Sequence, residues 1–265
     1  MSDIIRSLVL GAIQGLTEFL PVSSSGHLEL INYFLGSSES VDSDLTMVVL
    51  VHFGTALSIL YVFRQDILNI LKDLFTLQWS DETRLAMEIL VSMIPAMILG
   101  LLFEEKIEEI FSGGIWMVGV SLIFTGVILW LTPNITSSEG TVGWKKALLI
   151  GVAQAIAIMP GISRSGMTIA AALMLGVGKK NAAKFSFLMV LPVIIGKLIL
   201  DMASGDLELS EGSVLPISLA LVSSFIVGVV ACKWMIALVQ KYSLKYFAGY
   251  CISIGLIVIM FYNYG

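Results

Sequence analysis

Between Gly114 and Thr132 the chain runs for nineteen residues without one charged side chain. A bilayer core about 30 Å thick is crossed by a helix of about 20 apolar residues. A helix also satisfies its own backbone hydrogen bonds, which hydrocarbon cannot do for it. Five more runs are predominantly apolar and close to this length, with charges only at Glu88 in the second and at Lys184, Lys197 and Asp201 in the third: Leu45–Phe63, Leu85–Phe103, Lys184–Met202, Val214–Cys232 and Phe247–Tyr262. Charged residues make up 13% of the 265, against about 25% in a soluble domain. The sequence therefore predicts an all-α integral membrane protein with six transmembrane helices. Its net charge of −5 says little, because the distribution of charge among loops carries the information. Asp3 and Glu18 flank and interrupt the first apolar stretch, so no cleavable signal peptide is expected.

Two segments, Asp3–Gly36 and Lys145–Gly176, are amphiphilic and broken by proline and glycine. In the first, Pro21 ends a helix begun near Asp3, and Ser23 caps a second limb running to about Leu35. That limb spans only about 20 Å. In the second, Pro160-Gly161 makes the break and Ser163 caps the next limb. Both read as re-entrant helical hairpins whose tips stop near mid-membrane.

Threaded this way, the chain sorts its positive charges. Arg64, Lys72 and Arg84 of a loop over 64–84 fall on one side, together with Lys145, Lys146, Lys179, Lys180, Lys184, Lys233, Lys241 and Lys245. The other side has Arg6 and Lys106 among Glu104, Glu105, Glu108, Glu109, Asp206, Glu208 and Glu211. The lysine-rich side is then cytoplasmic, and both termini face outside. The first hairpin enters from outside and the second from the cytoplasm. Gly11, Gln14, Ser23, Ser25 and Gly26 recur 140 residues later as Gly151, Gln154, Ser163, Ser165 and Gly166. Opposite entry plus a shared break reads as an inverted-topology repeat. Its halves are about 1–132 and 145–265, within a single polytopic domain over 1–265.

The chemistry gathers at the tips. Gly15–His27 holds a carboxylate, a proline, three serine hydroxyls and an imidazole with no lysine or arginine, and such groups are expensive in hydrocarbon. Gln14 and Glu18 share one helical face, where the carboxylate can bind a divalent cation or act as acid or base. Ser23, Ser24 and Ser25 precede His27. Ser24 and His27 are three apart and can both face the tip, where the imidazole could activate a hydroxyl or water, or attack phosphorus itself. Arg164 is the one arginine far from a membrane–water boundary, so its partner is either Glu18 across the repeat interface or an anionic ligand. Ser163, Ser165 and Thr168 add hydroxyls. Both second limbs aim their N-termini at the same spot, and a phosphate suits it.

Other polar residues read as structural. Lys197 and Asp201, one turn apart, can pair with each other. His52 could line a cavity but reads first as a packing residue, and Glu88 lies near a span end. Trp79, Trp130 and Trp144 suit interfacial belts. Glu104–Glu109 reads as a solvated outer loop, and Cys232 and Cys251 as small core residues.

Gln14-x-x-x-Glu18, Pro21-Val-Ser-Ser-Ser-Gly-His27 and Pro160-Gly-Ile-Ser-Arg-Ser-Gly-Met-Thr168 resemble, in order and spacing, the motifs of the undecaprenyl-pyrophosphate phosphatase family, also called bacitracin-resistance proteins. Ala182-Ala-Lys-Phe-Ser-Phe-Leu188 is similar to the segment that follows in that family. The resemblance covers nearly the whole chain. It implies a membrane enzyme that removes the terminal phosphate of undecaprenyl diphosphate, recycling the carrier for peptidoglycan synthesis and conferring bacitracin resistance. It further implies a divalent cation (Mg2+ or Ca2+) and a site open to the outside of the plasma membrane. Many members have Glu where this chain has Gln14, which leaves Glu18 as the main metal anchor. Glu18, Ser24, His27 and Arg164 are then the expected catalytic residues. Gln14, Ser23, Ser25, Ser163, Ser165 and Thr168 are the expected substrate-binding ones. Expected partners are the polyprenyl diphosphate and membrane lipids, with a homodimer left open and no role for nucleic acid.

Two other families share part of this pattern. The acid-phosphatase-like lipid phosphatases need a histidine six residues after their arginine, where this chain has Ala170. A polyprenyl-phosphate transporter also uses inverted repeats of broken helices, yet a passive carrier has no need of a Glu/Ser/His cluster set against an arginine.

Overall fold

The computed structural model describes residues 3–34, 45–111, 114–134, 140–205 and 214–264. Those residues form helices and turns, with no strand among them. The first hairpin is α1 (Asp3–Thr17) and α2 (Ser24–Phe34). After it come α3 (Leu45–Val62), α4 (Arg64–Phe75), α5 (Asp81–Phe111) and α6 (Ile115–Leu131). The second hairpin is α7 (Gly143–Ile156) and α8 (Arg164–Met174), followed by α9 (Lys179–Leu188), α10 (Val190–Ser204), α11 (Val214–Lys241) and α12 (Lys245–Tyr264).

By length and composition, Asp81–Gly100, Lys179–Ser204, Val214–Lys241 and Lys245–Tyr262 can each cross a membrane. The chain is thus an all-α membrane protein with several apolar spans. Thr46–Val62 qualifies only together with α4, from which it is bent by 79°. Ile115–Leu131 is apolar but shorter.

Three stretches differ from the sequence reading. Residues 64–75, read as loop, form α4; Ile67, Leu68, Leu71, Leu74 and Phe75 recur at helical spacing, giving it one apolar side. Helix α5 continues through Glu104–Glu109 to Phe111, where the sequence reads as loop. That run is built of good helix formers without glycine or proline. The run 184–202 is divided at Met189 between α9 and α10. Pro192 sits in the first turn of α10, where its missing N–H is tolerated. Gly36, Asp206, Glu208 and Glu211 lie outside the described residues.

The packing of the hairpins places the site. Helix α1 lies along α11, and α7 lies along α5, so the first limb of each hairpin docks on a long helix from the other half of the chain. Both contacts close at a glycine. A Cβ on Gly11 would sit 2.2 Å from the Ala220 carbonyl oxygen, and one on Gly151 would sit 2.2 Å from that of Ser92. Helix α6 packs on α12. The second limbs α2 and α8 have 11 residues each, or about 16 Å, half the thickness of a bilayer core. Around their tips, Phe19 meets Phe187 edge-on at 5.3 Å, within a core that includes Ile59, Leu122, Ile169 and Met189. Cys232 and Cys251 are both buried and unbridged, as their apolar settings imply.

Candidate active site

Each tip is made by a proline that stops one helix and a serine that starts the next. The Ser23 hydroxyl accepts from the Gly26 N–H at 3.2 Å, and the Ser163 hydroxyl accepts from the Gly166 N–H at 3.1 Å. The tips differ by one residue. In the second, Gly161 takes the left-handed turn at φ 79° between Pro160 and its cap. The shorter first tip has no glycine there, so Ser23 itself adopts φ 71°. A left-handed serine is uncommon, and such strain clusters at functional sites.

The tips meet on Glu18. Its Oε1 pairs with Arg164 Nη2 of the opposite hairpin. Its Oε2 accepts from Gln14 Nε2 at 2.9 Å and from the Ser24 hydroxyl at 2.8 Å. His52 on α3 brings Nε2 to 3.9 Å of the same oxygen. His52 Nδ1 lies 2.8 Å from the Val48 carbonyl oxygen. A carbonyl only accepts, so Nδ1 carries a proton, and Nε2 is the ring atom turned toward the site. Arg164 is braced by donating from Nη1 to the Ser186 carbonyl oxygen at 2.9 Å.

A cavity of about 670 Å³ opens at this junction. Its polar end is lined by Glu18, Ser24, Ser25, His52, Ser163, Arg164 and Ser165. The rest of its wall is mostly apolar, with Met93 and Met97 of α5, Ile158, and Val193 and Leu200 of α10, and also carries Gln154 and Lys197. A charged head with an apolar tail fits such a shape. The N-termini of α2 and α8 both start at the polar end, adding positive dipole ends to the guanidinium.

Of the expected site residues, Glu18, Ser24, Ser25, Ser163, Ser165 and Arg164 line this cavity; Gln14, Ser23, His27 and Thr168 do not. Gln14 is fully buried behind Glu18. Thr168 shares a hydrogen bond with the Ser186 hydroxyl at 2.6 Å and donates to the Arg164 carbonyl at 2.9 Å, so it fixes α8 to α9. The expectation that Ser24 and His27 face the tip together is corrected. His27 Nδ1 lies 2.8 Å from the Ser23 carbonyl oxygen, and its Nε2 meets the Tyr250 hydroxyl of α12 at 2.7 Å. The left-handed Ser23 sets the first turn of α2 so that Ser24 looks back to Glu18 while the imidazole stacks on Tyr250 at 5.7 Å. Sequence reasoning under-weighted His52, whose approach to Glu18 is purely tertiary. Lys197 pairs with Asp201 at 2.6 Å, as its spacing predicts.

Among the described residues no three His, Cys, Asp or Glu side chains gather to hold a metal. The donors available beside Glu18 are nevertheless suitable for a hard cation. Gln14 Oε1 is buried without a hydrogen-bond partner, and Mg2+ is commonly held by one or two carboxylates plus substrate phosphates.

A model of the bacitracin resistance protein BacA matches residues 7–257. A protein of Christiangramia forsetii named undecaprenyl-diphosphatase is 48% identical over 259 residues, 98% of each chain. Namesakes from Bacteroides thetaiotaomicron and the archaeon Methanobrevibacter smithii are 41% and 37% identical over 263 and 275 residues, at least 97% of each chain. The chain belongs to the bacitracin resistance protein BacA family.

Proposed function

We infer that this protein is a membrane-embedded undecaprenyl-diphosphate phosphatase, hydrolysing the terminal phosphoanhydride to give undecaprenyl phosphate and inorganic phosphate. The observation that carries the reading is the Ser24 hydroxyl donating to Glu18 at 2.8 Å while Glu18 pairs with Arg164 across the two tips. The diphosphate lies at the polar end of the cavity and the isoprenoid along Met93, Met97, Val193 and Leu200. Ser24 attacks the terminal phosphorus as its proton passes to Glu18 Oε2, the oxygen it already donates to. The bond from that phosphorus to the bridging oxygen breaks, releasing the lipid monophosphate, and water then frees phosphate from the serine. Arg164, Ser163, Ser165, Ser25 and the α8 N-terminus neutralise charge on the transferred group. His52 Nε2 stands where it can take a proton from the attacking water. His27, held between Ser23 and Tyr250, positions the start of α2.

Glu18 and the Gln14 amide oxygen would hold a divalent cation, Mg2+ more readily than Ca2+ given so few donors. When bound, it screens the negative oxygens of the diphosphate.

The same reading orders the membrane topology: six spans, counting α3, α5, α6, α9 with α10, α11 and α12, and two re-entrant hairpins in an inverted-topology repeat. The reciprocal docking of α1 on α11 and α7 on α5 supports this, as do the paired close contacts at Gly11 and Gly151. With the lysine-rich side cytoplasmic, both termini face outside the plasma membrane. The cavity then opens outward, because it follows the later turns of α5 and α10 through Met97, Lys197 and Leu200. The cycle needs one chain, so a homodimer adds nothing to the site.

The test is phosphate release from the lipid diphosphate by purified protein in detergent, where no transport can occur. Wild type should release phosphate, whereas Arg164→Ala and Glu18→Ala should not. Near-wild-type rates in either variant would overturn the assignment.

A further inference from the structure

Gln154 sits in the last turn of α7 and is 95% buried, at 5% relative exposure. Neither its Nε2 nor its Oε1 has a hydrogen-bond partner. It stands 140 residues after Gln14, at the same point of its own hairpin. Gln14 donates to Glu18 four residues on. The corresponding neighbour of Gln154 is Ile158, which offers nothing to bond. A primary amide with both ends unpaired is costly to hold in a protein interior, and more so within a membrane. Packing alone would be served better by methionine or leucine.

Gln154 also lines the cavity that holds Glu18, Ser24, Arg164, Ser163 and Ser165. The unpaired amide thus faces the same cavity as the groups that would take a charged head. An isoprenoid chain has no use for it, but a phosphate oxygen accepts an N–H readily. We propose that Gln154 is a substrate-binding residue, donating from Nε2 to a non-bridging oxygen of the lipid's diphosphate from the hairpin opposite Glu18. Its Oε1 is left to a water carried in with that head group. The proposal rests on the phosphatase reading above and adds a contact to it. The anion would be gripped by the guanidinium on one side and by a neutral amide on another, so part of its recognition survives without further charge in the membrane.

The test compares wild type with Gln154→Met, which keeps the length of the side chain and removes both unpaired ends. Inorganic pyrophosphate serves as the binding probe in a thermal-shift titration of purified protein in detergent, alongside KM and kcat for a short isoprenyl diphosphate. The variant should be at least as heat-stable as wild type without ligand. It should need about tenfold more pyrophosphate for the same shift and show KM raised by a similar factor, about 1.4 kcal/mol, with kcat changed less. Should the methionine variant not yield folded protein, Gln154→Glu removes the N–H donors at constant shape and should show the same losses. An unaltered pyrophosphate response and KM would overturn the proposal while leaving the phosphatase reading intact, and would assign the amide to trapped water. A wild type that neither binds pyrophosphate nor releases phosphate would overturn both.

Discussion

Arg164→Met separates what the Glu18–Arg164 pair does for the fold from what it does for the reaction. Glu18 is 7% exposed, and its carboxylate has three donors, from Arg164, Gln14 and Ser24. Removing the guanidinium leaves a buried carboxylate with two neutral donors. Breaking a buried pair in this way costs about 3–5 kcal/mol. Glu18→Gln combined with Arg164→Met removes both charges but keeps an amide oxygen to accept from Gln14 and Ser24. Replacing a buried pair by neutral groups of similar volume is often close to neutral, so the double variant should recover to within about 1 kcal/mol of wild type. Activity should not recover with it. A guanidinium on a transferring phosphoryl group contributes on the order of 10³-fold or more, so both the single and the double variant should lose at least that factor.

The assay is thermal unfolding in detergent paired with phosphate release on the same preparations. The expected pattern is a single variant that is unstable and inactive beside a double variant that is stable and inactive. A double variant that is both stable and active would refute the assignment, because the pair would then be a strut between hairpins and nothing more. A single variant as stable as wild type would refute the electrostatic argument, since Glu18 would have to be in contact with water.

Three further outcomes follow from the geometry. His52→Phe fills the same space without a proton acceptor and should lower kcat by about 10²-fold, the lower range for general acid–base groups, with little change in unfolding temperature; an unaltered kcat in phosphate release would return His52 to a packing role. Tyr250→Phe removes the 2.7 Å contact to His27 and should cost about 1 kcal/mol of stability with under tenfold loss of rate. A loss as large as that of Ser24→Ala would instead make His27 a participant in the chemistry. Gly11→Ala and Gly151→Ala each press a methyl against a backbone carbonyl and should destabilise by about 1–3 kcal/mol apiece; a neutral result at either would disprove that close docking.

The tips could be located in the sequence because their punctuation is local: Pro21 and Pro160 end helices, and Ser23 and Ser163 begin them. Arg164 stood out for the same reason, as a charge far from any interface. What could not be read depends on rotation and on distant contacts. Spacing puts Ser24 and His27 on one face, but it does not contain the left-handed turn at Ser23 or the Tyr250 hydroxyl waiting on α12. His52 is a lone imidazole in an apolar run, and its 3.9 Å approach to Glu18 joins residues 34 positions apart. Helix α4 was hidden because counting its charges as a loop overlooked the helical spacing of Ile67, Leu71 and Leu74.

The two hairpins are alike in backbone and unlike in chemistry, and one alignment explains how they make a single site. Ser24 and Arg164 are the first residues of α2 and α8, and they stand 140 residues apart, the spacing of the repeat. Both bond to Glu18, one at each carboxylate oxygen. The position of the second hairpin that corresponds to Glu18 is Ile158, and the one that corresponds to His27 is Met167. A second carboxylate at 158 would leave one guanidinium to balance two buried negative charges and would repel the diphosphate as well. A second arginine at 24 would leave no hydroxyl to attack phosphorus. The acid and the nucleophile therefore belong on one tip and the cation on the other, where the meeting of the tips lets the two face each other. The shared break and serine cap supply the geometry, and the chemistry requires that the two tips differ at these positions. Gln154, which stands where Gln14 does but has no neighbouring acid, is where the second hairpin offers a bond for a ligand to complete.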